Sequence, residues 1–258
     1  MYVVLIVSYG KADIVLYKKK WGDLKLIDFH CLLLYDVDDG AKTLDESIEM
    51  LKNAKRQNVD GIILTPHLRH GMFRYDKKKI DEHSEELKPI AAEMGIDIRI
   101  GTEYHVDHDI VEAFKNGKCH TLADSQHVLS EYSHASEYGF IHKMTQELIF
   151  AGYIPVIAHV ERYACLTEDL DCIDELRNIG AMIQVNADAI LGLDGRGAKK
   201  FCKKMLKNEM VDFVASDSHG IQNRVCNLEK CFQYVRKKFS DDYARKIFEE
   251  NAAIIMGK

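Results

Sequence analysis

The chain has 258 residues, 47% of them hydrophobic, enough to bury a large core in one α/β barrel or in two smaller domains. A formal net charge of −6 argues against a nucleic-acid partner, which calls for a basic face. The seven cysteines form no C-x-x-C pair, so zinc-ribbon readings fail on spacing and reduced thiols in the cytoplasm are expected.

Residues 1–23 begin with an apolar run at 3–7 that Ser8, Lys11 and Asp13 interrupt. That falls far short of the ~20 apolar residues of a membrane helix, so no stable membrane insertion is expected. The basic cluster Lys18, Lys19 and Lys20 follows the apolar run instead of preceding it, contrary to a signal peptide. We read 1–23 as an appended segment, a short hairpin or disordered, and 24–258 as a single catalytic domain.

From residue 24 onward, short β-branched runs alternate with segments of helical period. LKLIDFH (24–30) is followed by a helix over 44–57, where Ile48, Leu51 and Ala54 or Lys55 repeat at helical spacing. Thr43 is its expected N-cap, in a capping box with Glu46. GIILTPH (61–67) precedes a helix over 79–94, and DIRIGTE (97–103) a shorter one over 109–116. HVLSE (127–131), IPVIAH (154–159) and AMIQVN (181–186) precede helices over 141–151, 169–178 and 198–208. DFVASDSH (212–219) is the last run, and a helix over 241–250 ends the chain. This alternation is the pattern of βα units around a mostly parallel sheet.

The residues at the strand ends carry the chemistry. Six of the seven runs finish on His, Glu or Asp, and the seventh on Asn186. In a closed α/β barrel these ends converge on one face. His30, His67, Glu103, Glu131, His159, Asp217 and His219 are therefore candidate metal ligands, joined by Asp39 from the first loop. Imidazoles and carboxylates in this mixture suit manganese, iron or zinc. Eight such groups exceed the needs of one ion, so two or three ions bridged by shared carboxylates fit better. A multi-metal site supplies hydroxide at neutral pH and clamps the entering and leaving oxygens of phosphoryl transfer. Arg162 follows His159 by three residues and Arg224 follows His219 by five. Their planar guanidinium forks match phosphate oxygens.

Taken in order, DFH…DVDDGA, LTPH…GMF, GTE, SEYS, VIAHVERY, QVN and ASDSH resemble the PHP (polymerase and histidinol phosphatase) superfamily. More specifically, they are similar to the bacterial manganese-dependent protein-tyrosine phosphatases linked to capsule and exopolysaccharide synthesis. The resemblance implies a distorted (β/α)7 TIM-like barrel with a trinuclear site at the C-terminal strand ends. It implies that His30, Glu103 and Asp217, with a second His of the first motif, hold one ion. Glu103, Glu131 and His159 would hold the next, and Asp39, His67 and His219 the third. Arg162 and Arg224 would bind phosphate, and hydroxide held between ions would hydrolyse phosphotyrosine directly. The implied substrate is a phosphotyrosine protein, a bacterial tyrosine kinase of polysaccharide assembly. No Cys-x5-Arg loop is present, consistent with a mechanism that lacks a phosphocysteine.

The chain departs from that pattern at Leu32, which stands where the family has a histidine ligand. Leucine cannot coordinate; Asp36, Asp28 or water are the candidate substitutes. Two readings follow: an enzyme with reduced activity, or a metal-impaired pseudo-phosphatase that binds phosphotyrosine as a regulator. A third is a PHP phosphatase acting on a small metabolite such as histidinol phosphate. Asp39 is preferred over Asp38 by motif. His105 and His108 read as loop histidines, and Arg69 and His70 as a basic turn or part of a phosphate pocket. His120, His127, His134 and His142 read as structural or exposed, and Tyr132 and Tyr163 as barrel-rim packing.

Overall fold

The computed structural model describes the backbone of residues 2–5 and 17–20, and residues 24–258 in full. Strands β1 (Tyr2–Leu5) and β2 (Tyr17–Lys20) pair antiparallel. The rest of the expected appended segment lies outside the described residues.

Nine strands, all paired in parallel, then build a barrel of seven staves. They are β3 (Leu26–Cys31), β4 (Val59–Leu64), β5 (His67–Leu68), β6 (Asp97–Ile100), β7 (Glu103–His105), β8 (His127–Glu131), β9 (Ile154–Ile157), β10 (Met182–Asn186) and β11 (Phe213–Ala215). One sheet runs β3-β4-β6 and the other β11-β10-β9-β8-β7-β5. Two staves are broken in mid-length: β4 resumes as β5 after Thr65-Pro66, and β6 resumes as β7 after Gly101-Thr102. Pro66 has no N–H to give to a ladder. At Gly101 an added Cβ would lie 2.7 Å from Leu122 Cδ2 and 3.3 Å from Leu122 Cα, so a larger residue there would push Leu122 aside. A parallel bridge between Cys31 and Ser218 closes the ring from β3 to the end of β11. The architecture is thus the expected distorted seven-stave α/β barrel.

Inside the ring, Ile27, Phe29, Ile63, Leu129, Val156 and Phe213 form one apolar cluster, with Phe29 and Phe213 ring centres 4.5 Å apart. Ala252, Ile255 and Met256 of the C-terminal segment join it and plug the barrel end opposite the strand C-termini. A second, larger cluster lies between the strands and the helices around them.

The helices Leu44–Arg56, Lys77–Glu93, Ile110–Lys115, Tyr138–Phe150, Leu170–Asn178 and Arg196–Lys207 match the expected ones within a few residues at each end. Thr43 Oγ1 accepts from Glu46 N at 3.2 Å as anticipated, but Glu46 returns its bond to Lys42 N (2.8 Å). The buried face of this first helix is Ser47, Met50, Leu51 and Ala54, with Ile48 only half-buried. The Ser47 hydroxyl donates to Leu33 O at 2.6 Å, which ties this face of the helix to the segment after β3. Leu228–Lys238 is a helix absent from the predicted elements, although Leu228, Cys231, Phe232 and Val235 repeat at helical spacing and are buried. The single helix expected over 241–250 is instead interrupted by a π-helical turn at Lys246–Glu250.

Candidate metal centre

The C-terminal ends of the staves bring all eight candidate ligands into one cluster. Glu103, the first residue of β7, is its hub. Its Oε2 lies 3.0 Å from His30 Nε2 and 3.2 Å from His67 Nδ1, and its Oε1 lies 2.8 Å from His159 Nε2. Asp217 Oδ1 is 3.5 Å from His30 Nε2 and 3.6 Å from His219 Nδ1. Asp39 Oδ1 is 3.5 Å from His67 Nε2 and 3.8 Å from His219 Nε2.

Three groups have ligand atoms close enough to share an ion: His30, Glu103 and Asp217; Asp39, His67 and His219; and His67, Glu103 and Glu131. The first two coincide with the expected sets. The third has His67 in the place expected for His159, whose Nε2 lies 3.8 Å from Glu131 Oε1.

The donor set fits divalent ions. His67 Nδ1 and His219 Nε2 are buried and form no hydrogen bond even to the carboxylates at 3.2 and 3.8 Å, an arrangement that costs free energy unless something else engages them. Three further ring nitrogens, Nδ1 of His30, His159 and His219, face partners other than the candidate carboxylates, the usual way to fix a ligand's tautomer and orientation. Gln184 Oε1 faces His30 Nδ1 at 3.4 Å and accepts from His159 N at 2.7 Å. Tyr163 Oη lies 3.2 Å from His159 Nδ1, and Asp217 O 2.8 Å from His219 Nδ1. Phe73, of the GMF motif, stacks on His67 with ring centres 5.1 Å apart. His159 (φ 33°) and Asp217 (φ 51°) both adopt the left-handed backbone region. For side chains this is strained, typically by ~1–3 kcal/mol, and such strain collects at functional sites.

Electrostatics follow from burial and crowding. Burial alone would depress His30, but Glu103 and Asp217 outweigh it and raise its pKa to about 9. Burial opposes ionisation of Glu103, yet His30 and His67 hold its carboxyl well below the usual range. His219 falls to about 4, chiefly through burial and then Arg224, against the pull of Asp217.

The two arginines converge on one carboxylate oxygen. Asp217 Oδ2 accepts from Arg162 Nη2 at 2.8 Å, Arg224 Nη2 at 2.6 Å and Asn186 Nδ2 at 2.8 Å. The guanidiniums remain partly exposed at the rim, 27% for Arg162 and 42% for Arg224. They therefore border the cluster on its solvent side with donors to spare.

Neighbouring residues separate by role. Asp38 accepts from His67 N (2.9 Å) and Gly40 N (2.8 Å) and so shapes the loop, while Asp39 faces the two histidines. Neither carboxylate considered as a stand-in for the missing histidine falls in the ligand groups. Asp36 pairs with Lys79 at 2.7 Å. Asp28 accepts from Ser216 N at 2.9 Å, and burial pushes its carboxyl up to about 6. Leu32 itself is buried, with its N–H donating to Ser218 O at 3.0 Å.

His105 is more than a loop histidine: its Nδ1 lies 2.9 Å from Glu131 Oε2. Its position two residues past Glu103 on β7, hence on the same side of the strand, is the signal that could have found it. His108 lies edge-on to Phe140, His120 pairs with Asp81 at 2.8 Å, and His127 Nδ1 meets Ser125 Oγ at 3.0 Å. His142 stands 3.6 Å from Glu175, and His70 3.6 Å from Asp107. Tyr132 and Tyr163 are fully buried, with Tyr163 Oη accepting from Tyr132 N at 3.1 Å, so they pack the barrel and orient His159.

Residues 26–257 match the family model described as capsular polysaccharide synthesis, CpsB/CapC. The tyrosine-protein phosphatase CpsB of Streptococcus pneumoniae is 34% identical over 88% of this chain and 96% of its own length. The tyrosine-protein phosphatase YwqE of Bacillus subtilis is 27% identical over 90% of this chain and 91% of its own. A crystal structure from work on YwqE and CpsB, characterised there as metal-dependent tyrosine phosphatases, superposes with a TM-score of 0.84 at 27% identity, covering 90% of this chain and 94% of that one. A β-aspartyl dipeptidase of Fervidobacterium islandicum shares the fold alone, with a TM-score of 0.60 at 13% identity over 89% of this chain and 72% of that one. The chain belongs to the CpsB/CapC family of capsular polysaccharide synthesis.

Proposed function

We propose that this protein is a metal-dependent protein-tyrosine phosphatase. The observation that carries the reading is the single buried cluster of four imidazoles and four carboxylates with two arginines at its open rim. His30, Glu103 and Asp217 would hold one ion, Asp39, His67 and His219 another, and Glu103, Glu131, His67 and His159 share the remaining position. When bound, the ions supply Lewis acidity toward phosphoryl oxygens and an acidified water. The residues do the rest. Glu103 and Asp217 bridge neighbouring groups and hold them in register. Arg162 and Arg224, anchored through Asp217, present their remaining N–H donors to the phosphoryl oxygens and offset charge as the ester bond breaks. Gln184 and Tyr163 keep the ring nitrogens of His30 and His159 turned inward.

Manganese is the proposed metal, with iron or zinc as the other candidates for this donor set. The proposed substrate is a phosphotyrosine protein, specifically a tyrosine kinase of polysaccharide assembly, in keeping with a family named for capsule synthesis. A cytoplasmic site of action is supported by the seven free cysteines. Among the described residues no helix is long and apolar enough to cross a membrane. The relatives named tyrosine-protein phosphatases weigh against a small-metabolite substrate and against a pure binding role.

The test is hydrolysis of p-nitrophenyl phosphate, a phosphotyrosine peptide and histidinol phosphate, with manganese and with chelator. Manganese-dependent release of phosphate from the peptide is the expected result. Preference for histidinol phosphate, or tight phosphopeptide binding without turnover, would overturn the assignment.

A further inference from the structure

The loops that follow β3 and β11 face each other across a groove of about 500 Å³, within the ~300–1,000 Å³ usual for small-ligand sites. Asp39, His219 and Arg224 line it beside the metal centre, and Lys42, Glu46 and Ile221 line its walls. Ile221 is 46% exposed, a large apolar side chain beside an otherwise charged site. Opposite Glu46 stands Gly220, where an added Cβ would lie 3.4 Å from Glu46 Oε1. A larger side chain at 220 would therefore meet the other wall; the two walls already approach closely here, so a ring would lie on the Ile221 side of this point.

We propose that this groove receives the phenyl ring of the substrate, with Ile221 as its apolar wall. The inference rests on the phosphatase reading and adds the residues that select aryl over alkyl phosphate esters. With the phosphoryl group at the Asp39, His219 and Arg224 end, the ring spans the groove and holds the peptide backbone outside it. In phosphoserine the backbone lies close to the ester oxygen, so it would have to enter between the walls and shed its hydration. Ile221 contributes apolar contact to the ring and none to the phosphoryl group, so its loss falls on one substrate class.

The experiment is calorimetric titration of the full chain loaded with manganese, using inorganic phosphate and the non-hydrolysable phosphonate analogues of O-phosphotyrosine and O-phosphoserine, each named by the ester it mimics. The variants are Ile221→Ser and Gly220→Val, with Ile254→Ser, exposed on the C-terminal helix, as a control. The parent is expected to prefer phosphotyrosine over phosphoserine. Ile221→Ser should weaken phosphotyrosine about fivefold, the scale of roughly one buried methylene group lost, with inorganic phosphate changed less than about twofold. Gly220→Val should also discriminate against phosphotyrosine, while Ile254→Ser matches the parent. Equal losses for both phosphoamino acids, or no loss in either groove variant, would overturn the groove assignment and leave the phosphatase reading standing. A parent that binds neither inorganic phosphate nor phosphotyrosine would overturn both.

Discussion

Replacing Leu32 by histidine tests the metal centre at its weakest point. Leu32 is buried, and its backbone is pinned on both sides: its N–H donates to Ser218 O at 3.0 Å and its carbonyl accepts from Ala41 N at 3.2 Å. Ser218 lies between Asp217 and His219, so a histidine at 32 enters a frame already aligned with two candidate ligands. Gly40 protects that frame, since a Cβ there would come within 2.0 Å of Leu32 O. The substitution should therefore act locally. Loss of an outer partner typically costs ~10–100-fold in metal affinity, so gaining a direct ligand should tighten the His30, Glu103 and Asp217 position by at least ~10-fold. That corresponds to ~1.4 kcal/mol and, for a chain of this size, an additional metal-induced Tm rise of ~3–5 °C. Without metal the variant should be less stable than the parent, because a polar ring replaces a buried leucine. The assay combines elemental analysis after dialysis against buffered manganese with melting curves in manganese and in EDTA. Turnover should rise with metal content. Equal metal per chain, equal binding midpoints and equal Tm increments in parent and variant would refute the reasoning.

Other predictions follow from individual contacts. Arg162→Ala should lower kcat/KM for aryl phosphates about tenfold or more while metal content stays at the parent level, because Asp217 keeps Arg224 and Asn186 as donors; loss of metal would show that the arginine serves the ligand instead of the phosphate. Tyr163→Phe removes the hydroxyl that meets His159 Nδ1 and accepts from Tyr132 N. It should cost ~1–3 kcal/mol in denaturant unfolding and weaken metal binding ~10-fold, checked by titration. Glu161 is buried, burial pushes its carboxyl up to about 7, and its Oε2 has no hydrogen-bond partner. A raised carboxyl pKa gives stability that is complete below the unfolded value near 4.5 and is lost as pH rises through about 7. Glu161→Gln keeps the acceptor for Asn186 N, so its Tm advantage over the parent should grow between pH 5 and 8; parallel curves would contradict this.

The candidate ligands were legible because six of the seven apolar runs end on His, Glu or Asp, and a barrel collects those ends. The legible part stopped at the outer partners. Gln184 reads as one more polar residue inside a strand, yet it braces His30 and the His159 amide from 154 and 25 residues away in the chain. Tyr163 sits beside Arg162 in sequence, but only the turn after β9 shows that its hydroxyl meets His159. Asp28, close to His30 in sequence, faces Ser216 instead of the ligand groups. His105 could have been read from strand alternation, and the helix Leu228–Lys238 from its own apolar spacing. The π turn at Lys246–Glu250 has no counterpart in the pattern, because its buried residues Ile247 and Phe248 continue the i, i+4 spacing set by Tyr243 and Ala244.

By itself the sequence determined the order of staves, the eight candidate ligands, the two arginines and the gap at Leu32. These are local properties: strand alternation, helix period and the residue type at each strand end are written within a few positions of one another. Tertiary structure alone decided that His67 and His159 share access to Glu103, that both arginines meet on Asp217 Oδ2, and that Ile221 lines a groove beside them. Such pairings depend on where closure of the barrel sets each stave and how the loops pack over its rim, and those positions are set by long-range contacts summed over the whole chain.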